Sequence, residues 1–364
     1  MVRIIFYIYL LTINLYSFNL INKYPSYSYV FNEFDIEEDY IYNDDFNSFV
    51  QKNSNRYKIF YKNSINRGGT LIPTFKTMLL EDDLSDLLVY LAMVESGFKL
   101  NAVSNKSATG IWQFMSYTAK HYNLKVNSIS DERLDPILAT NAAISYLHKL
   151  YNDFGKWYLA VMAYNCGEGR MQKAIKKANS DELNIVLKYL PKETQLYMYK
   201  ILLVSMIGEN ISLGFSNNLD EVSDIYGDDI IQVEVEAGEN IKYIAKMIDM
   251  KSKDLLKLNH HFKNGVVPVS LPKYIINIPS DKVIDFYTKY ELKKELDRAS
   301  KCCFISHFVE RGDTLSSISK KYNIRVSDLI KSNNIKDGKI IINQILIIPV
   351  TEQIFNKFYK ENKI

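Results

Sequence analysis

The sequence predicts a mostly α-helical domain followed by two small α+β modules, each of strand, helix, helix, strand order. Three observations carry that prediction. Between residues 70 and 215 apolar side chains recur at helical spacing; Leu84, Leu87, Leu88 and Leu91, for example, fall at i, i+3, i+4 and i+7. Beyond Asn217 this periodicity gives way to short apolar runs bounded by turn residues. The chain also repeats itself there: Gly238-Glu239-Asn240 and Asp254 to Asn259 match Gly312-Asp313-Thr314 and Asp328 to Asn333 at a constant displacement of 74 residues. Each copy closes on an apolar strand and a proline, Ile278-Pro279 and Ile348-Pro349.

Taken in order, the segments are a signal peptide (1–20), an N-terminal extension (21–69), the helical domain (70–215), a degenerate first repeat (228–280), a helical linker (281–303) and a second repeat (304–350). Arg3 precedes an apolar run from Ile4 to Phe18. That run is shorter than the roughly 20 residues a bilayer span requires, so it reads as a cleaved export signal leading to the periplasm or cell envelope. No cysteine stands near it to accept a lipid. The extension is polar, aromatic and acidic and reads as a peripheral extension that packs on the helical domain, with one helix near Asp44 to Tyr61 and a break before that domain at Arg67-Gly68-Gly69. In the helical domain Pro136 opens a helix with Ile137, Ile144, Leu147 and Tyr151 on one face and Gly155 as its stop. Lys156 to Tyr164 is the most apolar stretch and is expected at the centre, and Glu193-Thr194 begin a last helix. Asp281 to Lys301 reads as a charged helical spacer.

Composition excludes several classes. With 47% hydrophobic and 24% charged residues the chain is expected to be globular, and a net charge of +3 with no basic stripe argues against nucleic acid. The 27 tyrosines accompany an excess of Ile, Lys and Asn, so their number is not taken as a sign of stacking on sugars. Cys166, Cys302 and Cys303 leave an odd thiol, and no essential disulfide is expected. Cys166 has no histidine nearby in sequence to activate it and reads as a small buried side chain. His260 and His261 are adjacent and lack metal-ligand spacing, so neither metal nor cofactor is expected. A monomer is the expected state.

The most informative residue is Glu95, four positions beyond Leu91 on the apolar stripe and two before Gly97, a helix stop. A carboxyl at the end of a buried face is partly desolvated, which raises its pKa toward the range of a general acid. On helical position alone such a glutamate is more often solvated or capping. The surrounding motifs change that balance. Glu95-Ser96-Gly97-Phe98, Ser104 and Ala108 to Met115 (ATGIWQFM), then Ala163 to Arg170 (AYNCGEGR), then Leu190 to Tyr197 (LPKETQLY) stand in one order. This series resembles the motifs of the family 1 lytic transglycosylases, which share the goose-type lysozyme (SLT) fold. The segment from Phe304 to Val350, with Gly312-Asp313-Thr314 and a helix opening at Val326-Ser327-Asp328, resembles a LysM module. With the repeats included, the whole chain is similar to the membrane-bound D type of that family.

Cleaving a glycosidic bond normally engages two carboxylates. The matched motifs offer one, and Asp131, Glu132 and Asp135 lie in a loop-like segment suited to solvation or helix-start roles. The resemblance implies the alternative chemistry. A single glutamate, here Glu95, protonates the bond between MurNAc and GlcNAc, then withdraws the proton of the MurNAc 6-hydroxyl, which closes onto C1 as a 1,6-anhydro end. It further implies that Ser104, Gln113, Met115, Tyr164 and Asn165 bind the glycan and that Tyr197 orients Glu95, with Trp112, Phe114 and Met115 read at least equally as plain core packing. It implies, for the second repeat, glycan binding by Gly312, Asp313, Thr314, Asn333 and Asn334. Gln195 departs from the family, which usually has arginine there. The expected partner is therefore peptidoglycan. The alternatives are a hydrolytic muramidase and, less favoured, a non-catalytic wall-binding scaffold.

Overall fold

A computed structural model describes residues 20–69, 71–128, 130–215, 230–269, 271, 273–291 and 303–361. The signal segment, Cys302 and residues 292–302 of the expected linker lie outside the described residues. No helix among the described residues is long and apolar enough to cross a membrane. The chain divides into two units, one formed by residues up to 125 together with 136–227 and the other by 126–135 together with 228 onward.

The first unit is helical throughout. Helices α1 (Tyr27–Glu33) and α2 (Asp44–Gly68) come from the N-terminal extension. Beyond them lie α3 (Leu71–Glu81), α4 (Val89–Ser96), α5 (Ser116–His121), α6 (Pro136–Phe154), α7 (Trp157–Cys166), α8 (Glu168–Ala178) and α9 (Lys192–Ser212). The stripe read as one helix is divided: a 3₁₀ turn at Asp86–Leu88, capped by the Ser85 hydroxyl, precedes α4. Leu84, Leu87, Leu88 and Leu91 are nevertheless all buried, as their spacing demands. Helix α7 is buried from Tyr158 to Ala163, in keeping with its apolar sequence. Helix α9 is equally central, with Ile201 to Asn210 buried without interruption.

The extension packs on the helical domain and shares its core. Val30, Phe31, Phe46 and Val50 are fully buried, and Phe31, Tyr40 and Phe46 form an edge-on ring cluster that reaches Tyr199 of α9. The buried Asn210 accepts from the Ser26 hydroxyl at 2.6 Å and donates to the Lys23 carbonyl at 2.8 Å. Helix α2 starts at an Asn43 cap, carries Asp44 and Asp45 in its first turn and Arg67 in its last, and so complements its own dipole. It runs through the residues read as a break and ends at Gly68.

The second unit contains two antiparallel two-stranded sheets. Strand β1 (Ile230–Glu236) pairs with β2 (Lys273–Pro279), from Ile230 opposite Pro279 to Glu236 opposite Lys273, with α10 (Ile241–Met247) and α11 (Ser252–Leu258) between them. Strand β3 (Cys303–Phe308) pairs with β4 (Ile345–Val350), enclosing α12 (Leu315–Lys321) and α13 (Val326–Ser332). Helix α14 (Glu352–Glu361) lays Ile354, Phe355 and Phe358 on the second core. The supposed spacer does not begin as one: Phe286 and Tyr290 are buried in the first module's core, where their rings stack at 4.8 Å. The 74-residue repeat has a physical basis in Asn259 and Asn333. Asn259 donates to Leu255 O and Asn277 O and accepts from Asn277 N; Asn333 donates to Leu329 O and Ile347 O and accepts from Ile347 N. Each asparagine thus ties the end of a helix to the closing strand.

Candidate active site

Helix α4 stops at Ser96 because Gly97 adopts a left-handed φ of 59° and its N–H closes on Met93 O at 2.7 Å. Glu95 therefore sits in a terminal turn, keeping a window to solvent while protein surrounds its carboxyl. Its Oε1 accepts a hydrogen bond of 2.5 Å from the Tyr197 hydroxyl, on the second turn of α9. Burial raises the Glu95 pKa to about 7; the Tyr197 bond and the Lys200 charge work against that rise, and Glu193 adds to it. Burial foremost, and next the proximity of Glu95, hold the Tyr164 and Tyr197 phenols well above their ordinary range, so both remain hydrogen-bond donors.

Most of the other expected residues are held by hydrogen bonds of their own. The Tyr164 hydroxyl donates to Trp112 O at 2.8 Å, holding the motif loop against α7. Asn165 Oδ1 accepts from Thr194 Oγ1 at 2.9 Å, joining the end of α7 to the start of α9. Gln113 has a left-handed φ of 51°, and its amide donates to Gly110 O at 2.7 Å and Ala102 O at 3.3 Å. Ser104 Oγ accepts from the Lys106 and Ala108 N–H groups. Met115 is 45% exposed, whereas Trp112 and Phe114 are buried, which assigns those two rings to the core. Trp112 Nε1 is satisfied by Thr140 Oγ1 at 2.8 Å. Gln195, where the family usually has arginine, donates to Leu190 O at 2.9 Å and accepts from Lys192, fastening the entry to α9.

Two of the loop carboxylates are engaged within their own unit. Asp131 pairs with Arg133 at 2.7 Å in the second unit, and the buried Asp135 accepts from Asn277 Nδ2 at 3.0 Å and lies 3.1 Å from His261 Nδ1. Burial pushes the Cys166 thiol up to about 11, which leaves it protonated and a poor nucleophile. Among the described residues no group of His, Cys, Asp and Glu is arranged to hold a metal ion.

Sequence reasoning missed several contributors. Tyr90 of α4 donates to the buried Glu209 of α9 at 2.7 Å, and Lys76 pairs with Asp86 at 2.7 Å and reaches Glu209 at 3.5 Å. This is a second tie between the helices that carry Glu95 and Tyr197. Tyr146 lies between Tyr164 and Tyr122, with ring centroids 5.2 and 5.1 Å away, so an aromatic row extends from Tyr164. A tyrosine on a helix face carries no signal that separates this role from ordinary packing.

Comparison with known proteins places these observations. Residues 75–186 match the Transglycosylase SLT domain, residues 229–295 the LysM-like domain of the lytic transglycosylase MltD, and residues 307–349 the LysM domain. The membrane-bound lytic murein transglycosylase D of Escherichia coli (strain K12) is 30% identical over 272 residues, covering 72% of this chain and 59% of that protein. A putative tributyltin chloride resistance protein from Alteromonas sp. (strain M-1) is 32% identical over 108 residues, 29% of this chain and 52% of its own. The 70 kDa soluble lytic transglycosylase of Escherichia coli superposes with a TM-score of 0.36 at 18% identity, covering 49% of this chain and 32% of that one. The chain thus spans about three fifths of the length of the curated transglycosylase it matches.

Proposed function

Since the chain carries a transglycosylase SLT domain, an MltD-type LysM-like domain and a LysM domain, we propose that it is a peptidoglycan lytic transglycosylase. It cleaves the β-1,4 bond between MurNAc and GlcNAc and leaves 1,6-anhydro-MurNAc ends. The observation that carries this reading is the single, largely desolvated carboxyl of Glu95, with a pKa raised to about 7 and its Oε1 held by Tyr197. An acid poised near neutrality can give a proton to the glycosidic oxygen and recover one from a sugar hydroxyl with little energetic penalty in either direction. The MurNAc 6-hydroxyl then attacks C1, so neither a water nor a protein nucleophile is required. Of the loop carboxylates, Asp131 is paired with Arg133 and Asp135 accepts from Asn277, which favours the single-carboxylate scheme over the two-carboxylate hydrolytic one.

Ser104, Gln113, Met115, Tyr164 and Asn165 form the glycan-binding wall, and Tyr197 orients the acid. The repeats hold the enzyme on the wall. In the second repeat Gly312, Asp313, Thr314 and Asn334 face the glycan, and Asn333, whose amide bonds to backbone, supports them. The corresponding part of the first repeat, Gly238, Glu239, Asn240, Lys242 and Tyr243, lines an open groove of about 520 Å³, which supports sugar binding there as well. Action on peptidoglycan sets the site of function in the cell envelope.

Mass spectrometry of muropeptides released from sacculi by the purified chain tests this. Anhydro ends, lighter than reducing ends by one water, are expected. Reducing ends alone would make the protein a muramidase, and retention on sacculi without release would make it a scaffold.

A further inference from the structure

We propose that Arg67, on the last turn of the N-terminal helix α2, is a positioning residue for Glu95: it clamps the turn that ends the helix carrying the acid. The inference rests on Glu95 being that acid. Arg67 Nε donates to Gly97 O at 2.7 Å, and its Nη2 reaches Ser64 Oγ at 3.3 Å, so the guanidinium is fixed to its own helix while it holds the turn. The fit is close on both sides. A Cβ at Gly97 would stand 2.6 Å from Arg67 Nη2, and one at Gly68 would stand 2.5 Å from Phe98 Cγ.

The turn needs such a clamp. Gly97 and Phe98 both have left-handed backbones, with φ of 59° and 55°, and that conformation is unfavourable for a residue as bulky as phenylalanine. Phe98 is held there by burial: its ring lies 6.2 Å from that of Phe75, which stacks on Trp112 at 6.1 Å. Two consecutive left-handed residues set where α4 stops, and hence where the carboxyl two positions earlier is placed. Because α2 belongs to the extension, this gives residues 21–69 a part in the chemistry.

Arg67 acts here by geometry. The groups that face Glu95 electrically are Tyr197, Lys200 and Glu193 from α9 and Tyr164 from α7, while the exposed Arg67 head is not among them. Loosening the turn would admit water around the carboxyl and shift its titration to lower pH, toward an ordinary glutamate. It would also lower kcat by roughly 10- to 100-fold, the scale expected when an acid is misplaced by about an ångström, and leave KM nearly unchanged.

The test compares the full-length parent with Arg67→Ala and Arg67→Lys. The lysine variant keeps the charge but lacks the planar fork, so it is expected to share the defect and serves if the alanine variant fails to fold. Carboxyl-carbon NMR of glutamate-labelled protein reads the Glu95 midpoint without requiring turnover, and muropeptide release across pH gives kcat and KM. An acid-shifted Glu95 midpoint in both variants, with the loss in kcat rather than KM, is the expected result. A lower melting temperature with an unchanged midpoint and unchanged kcat would reduce Arg67 to a purely structural role and overturn the proposal. Absence of muropeptide release by the parent would instead defeat the transglycosylase reading, and the NMR comparison would still decide whether Arg67 positions the carboxyl.

Discussion

Beside Glu95 one motif side chain, Tyr197, bonds directly to a carboxyl, whereas in the two repeats most motif side chains hydrogen-bond to the backbone that displays them. Tyr197 is a neutral donor to Glu95, and its bond works against the rise of the Glu95 pKa. In the second repeat, by contrast, Thr314 caps α12 through a reciprocal pair of bonds with Ser317, Asp313 accepts from Glu310 N and contacts His307 Nε2, and Asn333 ties α13 to β4. The first repeat shows what this means for a motif judged degenerate. Asn240, standing where the second repeat has Thr314, still caps its helix by accepting from Lys242 N at 2.9 Å. An N-cap requires a short side chain with an acceptor, and asparagine supplies it as well as threonine. A change that weakens the motif as a pattern therefore leaves its physical role intact.

The sharpest break in this comparison is Glu95→Gln. It keeps shape and hydrogen bonding but removes the exchangeable proton, so muropeptide release should fall by about 10² to 10⁴, roughly 3–5 kcal/mol in barrier, while retention on sacculi stays at the parental level. The same variant should change stability in a pH-dependent way. Because folding raises the Glu95 pKa to about 7, the unfolded chain loses that proton first as pH rises from about 4.5, and the folded state is penalised from there upward. Glu95→Gln should thus melt at the parental temperature in acid and above it at neutral and alkaline pH; coincident melting curves throughout would show that the carboxyl is not desolvated.

A smaller effect is expected from Tyr197→Phe. The lost hydrogen bond favoured the ionised carboxyl, so the alkaline limb of the pH–rate profile should move to higher pH, with a plateau lowered about tenfold because the acid is no longer oriented. Movement of that limb to lower pH would contradict the sign of the contact.

Within the repeats the effects should concern stability. Asn259→Ala and Asn333→Ala each remove a clamp that serves three backbone groups, at a cost of about 1–3 kcal/mol read by denaturant unfolding. Equal losses would establish the two asparagines as equivalents, and a negligible loss at Asn333 with weakened glycan binding would return it to the sugar. The smallest expected effect is at the caps: Asn240→Ala and Thr314→Ala should each cost roughly 1 kcal/mol, measured in the same way.

The comparison also accounts for what could be read in advance. Glu95, Tyr197 and the helix stop at Gly97 lie in local patterns, and the repeats advertise themselves through their fixed spacing. The contacts of the extension are long-range, since Arg67 meets Gly97 thirty residues on and Ser26 meets Asn210 at a separation of 184. Nothing in the composition of residues 21–69 signals them, and tyrosines that resembled a general bias, such as Tyr40 and Tyr61, are core residues. Arg67-Gly68-Gly69 reads as a break, and the helix does end at Gly68, where the missing side chain also lets the backbone approach Phe98. For Asn333 the resemblance to a LysM module implies sugar contact, while its amide is engaged with backbone, and no single-sequence pattern separates the two roles.

The bond from Ser26 to Asn210 has a consequence for how the first unit assembles. Chain synthesis presents residues 20–68 first, yet their partners include the last turns of α9, so this part of the unit cannot complete its core until residue 210 has emerged. Loop closure over such a distance comes late and slowly, since its entropic cost precedes the contacts that offset it. The aromatic segment around Phe31, Tyr40 and Phe46 therefore remains without its full burial until the far end of the unit arrives, and closure of that end is what completes the core around α9.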